Sequence, residues 1–102
     1  MDKPEREKLI NTALNNLDMT WADEALCAKI EGILVRGMVY LDRIAGGAQD
    51  YGTDAKPLEL LLEYCRYAVS DALDLFATNY QHELIALQAD AEVARYAEAK
   101  EA

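Results

Sequence analysis

Two stretches of this chain repeat apolar residues at helical spacing over five or more turns, and that limits the fold to helices packed on helices. The first has two overlapping rows: Cys27, Ile30, Leu34, Gly37, Leu41, Ile44 and Leu26, Ile30, Ile33, Gly37, Tyr40, Ile44. The second has Leu58, Leu61, Cys65, Ala68, Ala72, Leu75 beside Leu62, Cys65, Val69, Ala72, Phe76. Recurrence at three- and four-residue steps gathers side chains on one helix face. Two rows make a wide stripe, as a helix needs when it packs against more than one neighbour.

Punctuation residues divide the rest. Asp2 can cap a first helix with Pro4 near its start, where a missing N–H does no harm. Leu9, Ile10, Ala13, Leu14 and Leu17 then predict a short helix over residues 1–17. Residues 15–20 read as a break. Thr20 followed by Asp23 resembles a capping box with Asp in place of Glu, opening a helix over 22–45, roughly 35 Å long at 1.5 Å per residue. Gly46-Gly47 ends it. Residues 46–56 form the one long loop, and loops of this length are more often functional or mobile than purely connecting. At its centre Tyr51 has no evident core to enter. Pro57 opens a helix over 57–78. Near Thr78-Asn79 the register changes, and the chain either restarts there or runs on through Phe76, Tyr80 and Leu84.

Residues 80–102 are rich in Ala and Glu, which are good helix formers, but their stripe fades to alanines. An isolated helix of this length is marginal in water, so this segment reads as a helical tail that orders fully against a partner. The expected fold is all-α: one domain over residues 1–102, a small bundle of two long amphipathic helices, a short N-terminal helix and a C-terminal tail.

Composition narrows the function. The chain has 102 residues, the size of one domain. At 52% apolar and 28% charged it is too apolar for disorder. Nineteen acidic against ten basic residues give a net charge of −9. Gripping duplex DNA takes a cationic face, so that role is disfavoured. An acidic wall past which DNA slides, or a basic protein partner, both fit. Cys27, Cys65 and the single His82 are too few and too scattered for a zinc site. Both cysteines lie on apolar faces and read as small buried thiols. No apolar run follows Met1–Arg6 and no stretch approaches a membrane span. Neither a signal peptide nor a membrane is expected, and the cytoplasm is the default.

Catalytic signatures are missing as well. The sequence holds no Gly-rich phosphate loop, no Gly-x-Ser-x-Gly and no His-Glu-x-x-His. Carboxylates one turn apart, such as Glu59 and Glu63, are commonplace on solvated helices. The expectation is a protein with no catalytic residue, metal or cofactor.

The outward faces carry more. Opposite the stripe of the second helix runs Ala25, Lys29, Gly32, Arg36, Val39, Arg43, with three cations seven residues apart. Glycine in an exposed helix interior costs about 1 kcal/mol relative to alanine, and a closely approaching neighbour would give Gly32 a purpose. The outer face of the third helix carries Glu59, Glu63, Ser70, Asp71 and Asp74, with Leu60, Tyr64 and Tyr67 among them. Six tyrosines against one phenylalanine suit a half-wet contact surface. Lys29, Gly32, Arg36 and Arg43 on one side and Glu63, Tyr64, Tyr67 and Asp74 on the other would fit a head-to-tail contact between identical subunits, which closes into a ring or propagates. Two plain solvated faces would carry the same charges.

Several landmarks together resemble a known family. Asp23-Glu24-Ala25-Leu26, Ile30, Ile33 and Tyr40-Leu41 precede an Ala-Gly loop, and Pro57-Leu58-Glu59-Leu60-Leu61-Leu62 and Tyr64-Cys65-Arg66-Tyr67 follow it. This pattern, continued by Asn79-Tyr80, Glu83-Leu84 and Ala86-Leu87, resembles the small head–tail connector (adaptor) proteins of tailed phages and prophages. It covers about residues 20–93 and rests on helix lengths, loop position and polar landmarks. The resemblance implies a virion protein, assembled in the host cytoplasm, that forms a ring (typically dodecameric in the family) beneath the portal. That ring extends the DNA channel without binding DNA specifically and docks the next neck or tail protein. It also implies portal contact through the C-terminal segment, here Tyr80, Leu84, Leu87, Val93 and Tyr96. Two other classes compete: a small acidic regulator that binds a basic protein, and a helical DNA-binding module, against which the long second helix and the acidic charge both weigh.

Overall fold

A computed structural model describes residues 2–19, 21–53 and 55–101. Among them are five helices and no strand: α1 (Lys3–Asn16), α2 (Glu24–Ala45), α3 (Lys56–Val69), α4 (Leu73–Asn79) and α5 (Gln81–Glu101). The fold is the small all-α bundle that the stripes predict. Its extents of 47 × 32 × 18 Å make it a flat, elongated body. No helix among the described residues is long and apolar enough to cross a membrane.

Helix α2 is the centre and touches α1, α3 and α5. It buries Ile30, Ile33, Leu34, Gly37, Leu41 and Ala45, the middle of the wide stripe. Gly37 marks the closest approach. A Cβ built there would lie 2.7 Å from Leu61 Cδ1 and 2.8 Å from Tyr64 Cδ1, so only glycine lets α3 pack at this depth. Gly32 differs: the nearest atom to its Cβ position is Arg36 Nη1 at 3.4 Å, an ordinary contact. Within the chain, the close helix approach is at Gly37, and Gly32 is left without one.

The helix ends explain the topology. Asp2 caps α1 by accepting from Glu5 N at 2.9 Å, and Asp23 caps α2 by accepting from Leu26 N at 2.8 Å. Asp23 is thus the capping residue itself, α2 begins at Glu24 rather than 22, and Thr20 lies outside the described residues. Three C-termini close with the same wide backbone bond back across the last turn: Met19 N to Leu14 O, Gly47 N to Asp42 O and Ala72 N to Tyr67 O. Such ends place a left-handed residue just past the helix. Gly46 fills that place after α2, and Asp18 and Asp71, at φ 58° and 55°, fill it after α1 and α3. Aspartate tolerates the left-handed region better than most residues, at some cost.

The turn at Asp71 changes the expected architecture. The helix expected over 57–78 stops at Val69, and α4 starts in a new direction at Leu73. Leu75, placed on the apolar row by periodicity, is therefore exposed, while Phe76 swings into the core. A second break at Tyr80 separates α4 from α5. The segment expected as a tail is a 21-residue helix whose first half buries Leu84, Leu87 and Ala91 against the bundle.

Candidate functional site

The most elaborate side-chain assembly is aromatic and inward. Phe76, the chain's one phenylalanine, stacks on Tyr80 with ring centroids 5.1 Å apart. It also meets Tyr64 at 5.5 Å, Tyr67 at 5.7 Å and Tyr40 at 6.0 Å, all edge-on. Tilted and edge-to-face pairs are the favoured aromatic geometries. At the rim, Tyr80 Oη donates to Glu63 Oε2 at 2.8 Å, Arg66 Nε donates to the same oxygen at 2.9 Å, and Asn79 Nδ2 donates to Tyr67 Oη at 3.0 Å. Burial, then the bond to Glu63, raises the Tyr80 phenol above its ordinary pKa, and burial also raises Tyr40. The cluster is cement: it ties α4 and the start of α5 onto α2 and α3.

Tyr51 has a core after all. Only 5% exposed, it donates from Oη to Asp42 Oδ1 at 2.7 Å and also lies 3.3 Å from Met38 O. The same Asp42 oxygen accepts from Gln49 N at 3.0 Å. The long loop is thereby strapped to the last turns of α2, and its tyrosine is held neutral by burial and by the adjacent carboxylate. Cys65 is buried and its thiol pushed up to about 11 by that burial, which makes it a poor nucleophile. Cys27 is half-exposed, and neither cysteine is in a disulfide. Among the described residues no group of His, Cys, Asp or Glu is arranged to hold a metal ion. A shallow cleft of about 500 Å³ lies between α1 and the loop, walled by Lys8, Thr12, Gln49 and Tyr51.

The residues expected at a subunit interface divide sharply. Lys29, Arg36 and Arg43 are exposed and Gly32 is half-exposed. None of the three cations has an acid within ion-pair distance among the described residues, where the pairs are Arg6–Glu31 and Arg66–Glu63. Asp74 is exposed too. Glu63, Tyr64 and Tyr67 instead turn into the aromatic cluster and its rim, and Leu60 is buried. Of the face expected on the third helix, Leu60 is thus buried and Glu63, Tyr64 and Tyr67 are half-buried under Phe76 and Tyr80, while Glu59, Ser70, Asp71 and Asp74 stay exposed.

The residues expected at the portal divide as well. Leu84 and Leu87 are core and Tyr80 belongs to the cluster. Val93 and Tyr96, 68% and 70% exposed, face outward. From Glu92 to Lys100 every residue is exposed, and this half of α5 is tethered by Arg95, whose Nη1 donates to Ala45 O at 2.7 Å.

Other outward apolar groups escape the periodicity argument. Val35 and Val39 on α2, Ile85 on α5 and Trp21 before α2 are all exposed. A second row at Ile85, Ala89, Val93 and Tyr96 was visible in the sequence at four- and three-residue steps, although alanines diluted it.

No protein-family model, no curated protein and no solved structure matches this chain.

Proposed function

We propose that this chain is a structural head–tail joining protein of a tailed phage or prophage, assembling as a ring beneath the portal and docking the next neck or tail protein. One observation carries the proposal: the chain's unsatisfied chemistry lies on outward helix faces. Lys29, Arg36 and Arg43 form a cationic face on α2 with no ion pair among the described residues, and α5 exposes Val93 and Tyr96 on a half-helix tethered by Arg95. Exposed apolar groups beside charge are what interaction surfaces require. A net charge of −9 suits a channel wall that must let DNA pass. No chemical step is assigned to the protein, and its location would be the virion.

Native mass spectrometry of the chain alone and mixed with the portal protein of its own genome tests this. The expected result is a ring-sized oligomer that binds the portal, whether the ring forms beforehand or only on it. A chain that stays monomeric and binds no portal overturns the proposal. A monomer that captures a basic protein and ignores the portal would favour the small acidic regulator.

A further inference from the structure

Helix α5 has two apolar faces and uses one. Leu84, Leu87 and Ala91 are buried against the bundle. On the opposite side Ile85, Ala89, Val93 and Tyr96 follow each other at helical steps, with Ile85, Val93 and Tyr96 each more than half exposed. Exposed Asp90 and Glu92 border this second stripe on its two sides. Of the nearby cations, Arg95 is drawn inward onto Ala45 O and Lys100 lies at the far tip.

The outer face of α2 is its complement. Helical spacing puts Ala28, Val35 and Val39 along one edge, Lys29, Arg36 and Arg43 along the other and Gly32 between them. Val35 and Val39 are 45% and 53% exposed. The acids of α2, Glu24, Glu31 and Asp42, fall outside this arc. In a chain of net charge −9 this arc carries three cations, and of the acids that border its valine edge Glu31 pairs with Arg6 and Asp42 accepts from Tyr51 and Gln49. The lengths agree too: Ile85 to Tyr96 and Ala28 to Val39 each span eleven steps, about 17 Å.

We infer that the outer stripe of α5 in one copy docks on the outer face of α2 in the next, a head-to-tail contact that leaves one free face of each kind at the ends. The occupant is a second copy of this chain because the charges choose it. Two α5 stripes facing each other would oppose acid to acid, whereas α5 on α2 sets acids beside cations and the apolar stripe beside Val35 and Val39. Gly32 then has a use, since the absent side chain lets a helix approach between the two edges. Such a heterologous contact closes into a ring if its rotation permits. The inference rests on the assembling role proposed above for its biological meaning and assigns Val93 and Tyr96 to the neighbouring subunit.

The test is sedimentation equilibrium of the full chain with two exposed-site variants, Val39→Asp and Val93→Lys, each checked for native helicity by circular dichroism. The unchanged chain should self-associate, more weakly at high salt. Each variant should weaken association by about tenfold or more, as loss of a central contact does. A mixture of the two should recover association, because Val39→Asp keeps a sound α5 stripe and Val93→Lys a sound α2 face. A chain that stays monomeric up to its solubility limit overturns the inference. So does a Val39→Asp variant that associates normally, or a mixture that recovers nothing. Adding the portal protein separates the two proposals. Self-association through these faces without portal binding upholds this contact and sinks the connector role. Portal binding lost in Val93→Lys with self-association intact does the reverse.

Discussion

Helices α2 and α5 are nearly equal in length, at 22 and 21 residues, yet they belong to the fold in opposite ways. Helix α2 is covered along its length by α1, α3 and α5 and leaves one outward arc free. Helix α5 buries three residues, all in its first ten or so, and exposes everything from Glu92 to Lys100. The local sequence of α5 favours helix strongly, with Ala, Glu, Lys and Arg throughout. Propensity alone, however, leaves a helix of this length marginal. What holds an element is the surface it packs against, so α2 should fail only when the whole molecule fails, while the end of α5 opens by itself.

The same substitution in both helices tests that contrast most severely. Leu34 in α2 and Leu87 in α5 are each 2% exposed. Leu34→Ala is expected to cost about 4–5 kcal/mol, since the surrounding elements cannot collapse into the void, and Leu87→Ala about 2–3 kcal/mol, since α5 can settle inward. Urea unfolding followed by circular dichroism measures both. Equal costs would put α5 on the same footing as α2.

The two glycines of α2 sharpen the contrast within one helix. Gly37→Ala forces a Cβ against Leu61 and Tyr64 and should destabilise by about 1–3 kcal/mol. Gly32→Ala meets only Arg36 and should stabilise the free monomer by about 0.5–1 kcal/mol through helix propensity. Opposite signs from one substitution type, read as shifts of the urea midpoint, would locate the packed and the open faces of α2. A smaller loss of about 1–2 kcal/mol is expected for Tyr51→Phe, which removes the donor to Asp42 while keeping the ring. It should also speed hydrogen exchange at Gln49 N, whose acceptor Asp42 would lose its second partner.

How much of this was legible in the sequence depends on whether periodicity carried the information. Every member of the two α2 rows is buried or half-buried, because a helix this central has its pattern set by its own neighbours along the chain. On α3 the rows hold as far as Val69 and then fail at Leu75. The failure comes from one residue: Asp71 takes a left-handed turn usually given to glycine, and no periodic signal marks it. That turn brings Phe76 back over Tyr64 and Tyr67, so residues whose type suited an outer surface became core rim. Tyr51 was illegible for another reason, since its partner Asp42 lies nine residues away across a glycine stop. The cationic row of α2 was readable because exposed charges answer to solvent rather than to distant packing.

The smallest effect bears most directly on the free half of α5. Ala45 ends α2, and its carbonyl is one of those a helix leaves without an internal partner. Arg95 supplies the missing donor at 2.7 Å and sets a positive charge at the negative end of the α2 dipole. Arg95→Gln should therefore lower global stability by about 1 kcal/mol, because the bond is only partly buried and water reaching it from the Arg95 side can replace the donor. Its local consequence should be larger. From Glu92 to Lys100 no side chain of α5 is buried, so residues 92–100 would lose their tether and fray. Hydrogen exchange measured by mass spectrometry should show faster exchange over 92–100 in the variant and unchanged exchange across α2. Arg95→Lys should fall between, retaining the charge but not the guanidinium geometry. If 92–100 exchange equally slowly in the unchanged chain and in Arg95→Gln, propensity or self-association is holding that half-helix. Repeating the measurement with Val93→Lys added decides between these, because only self-association would then give way.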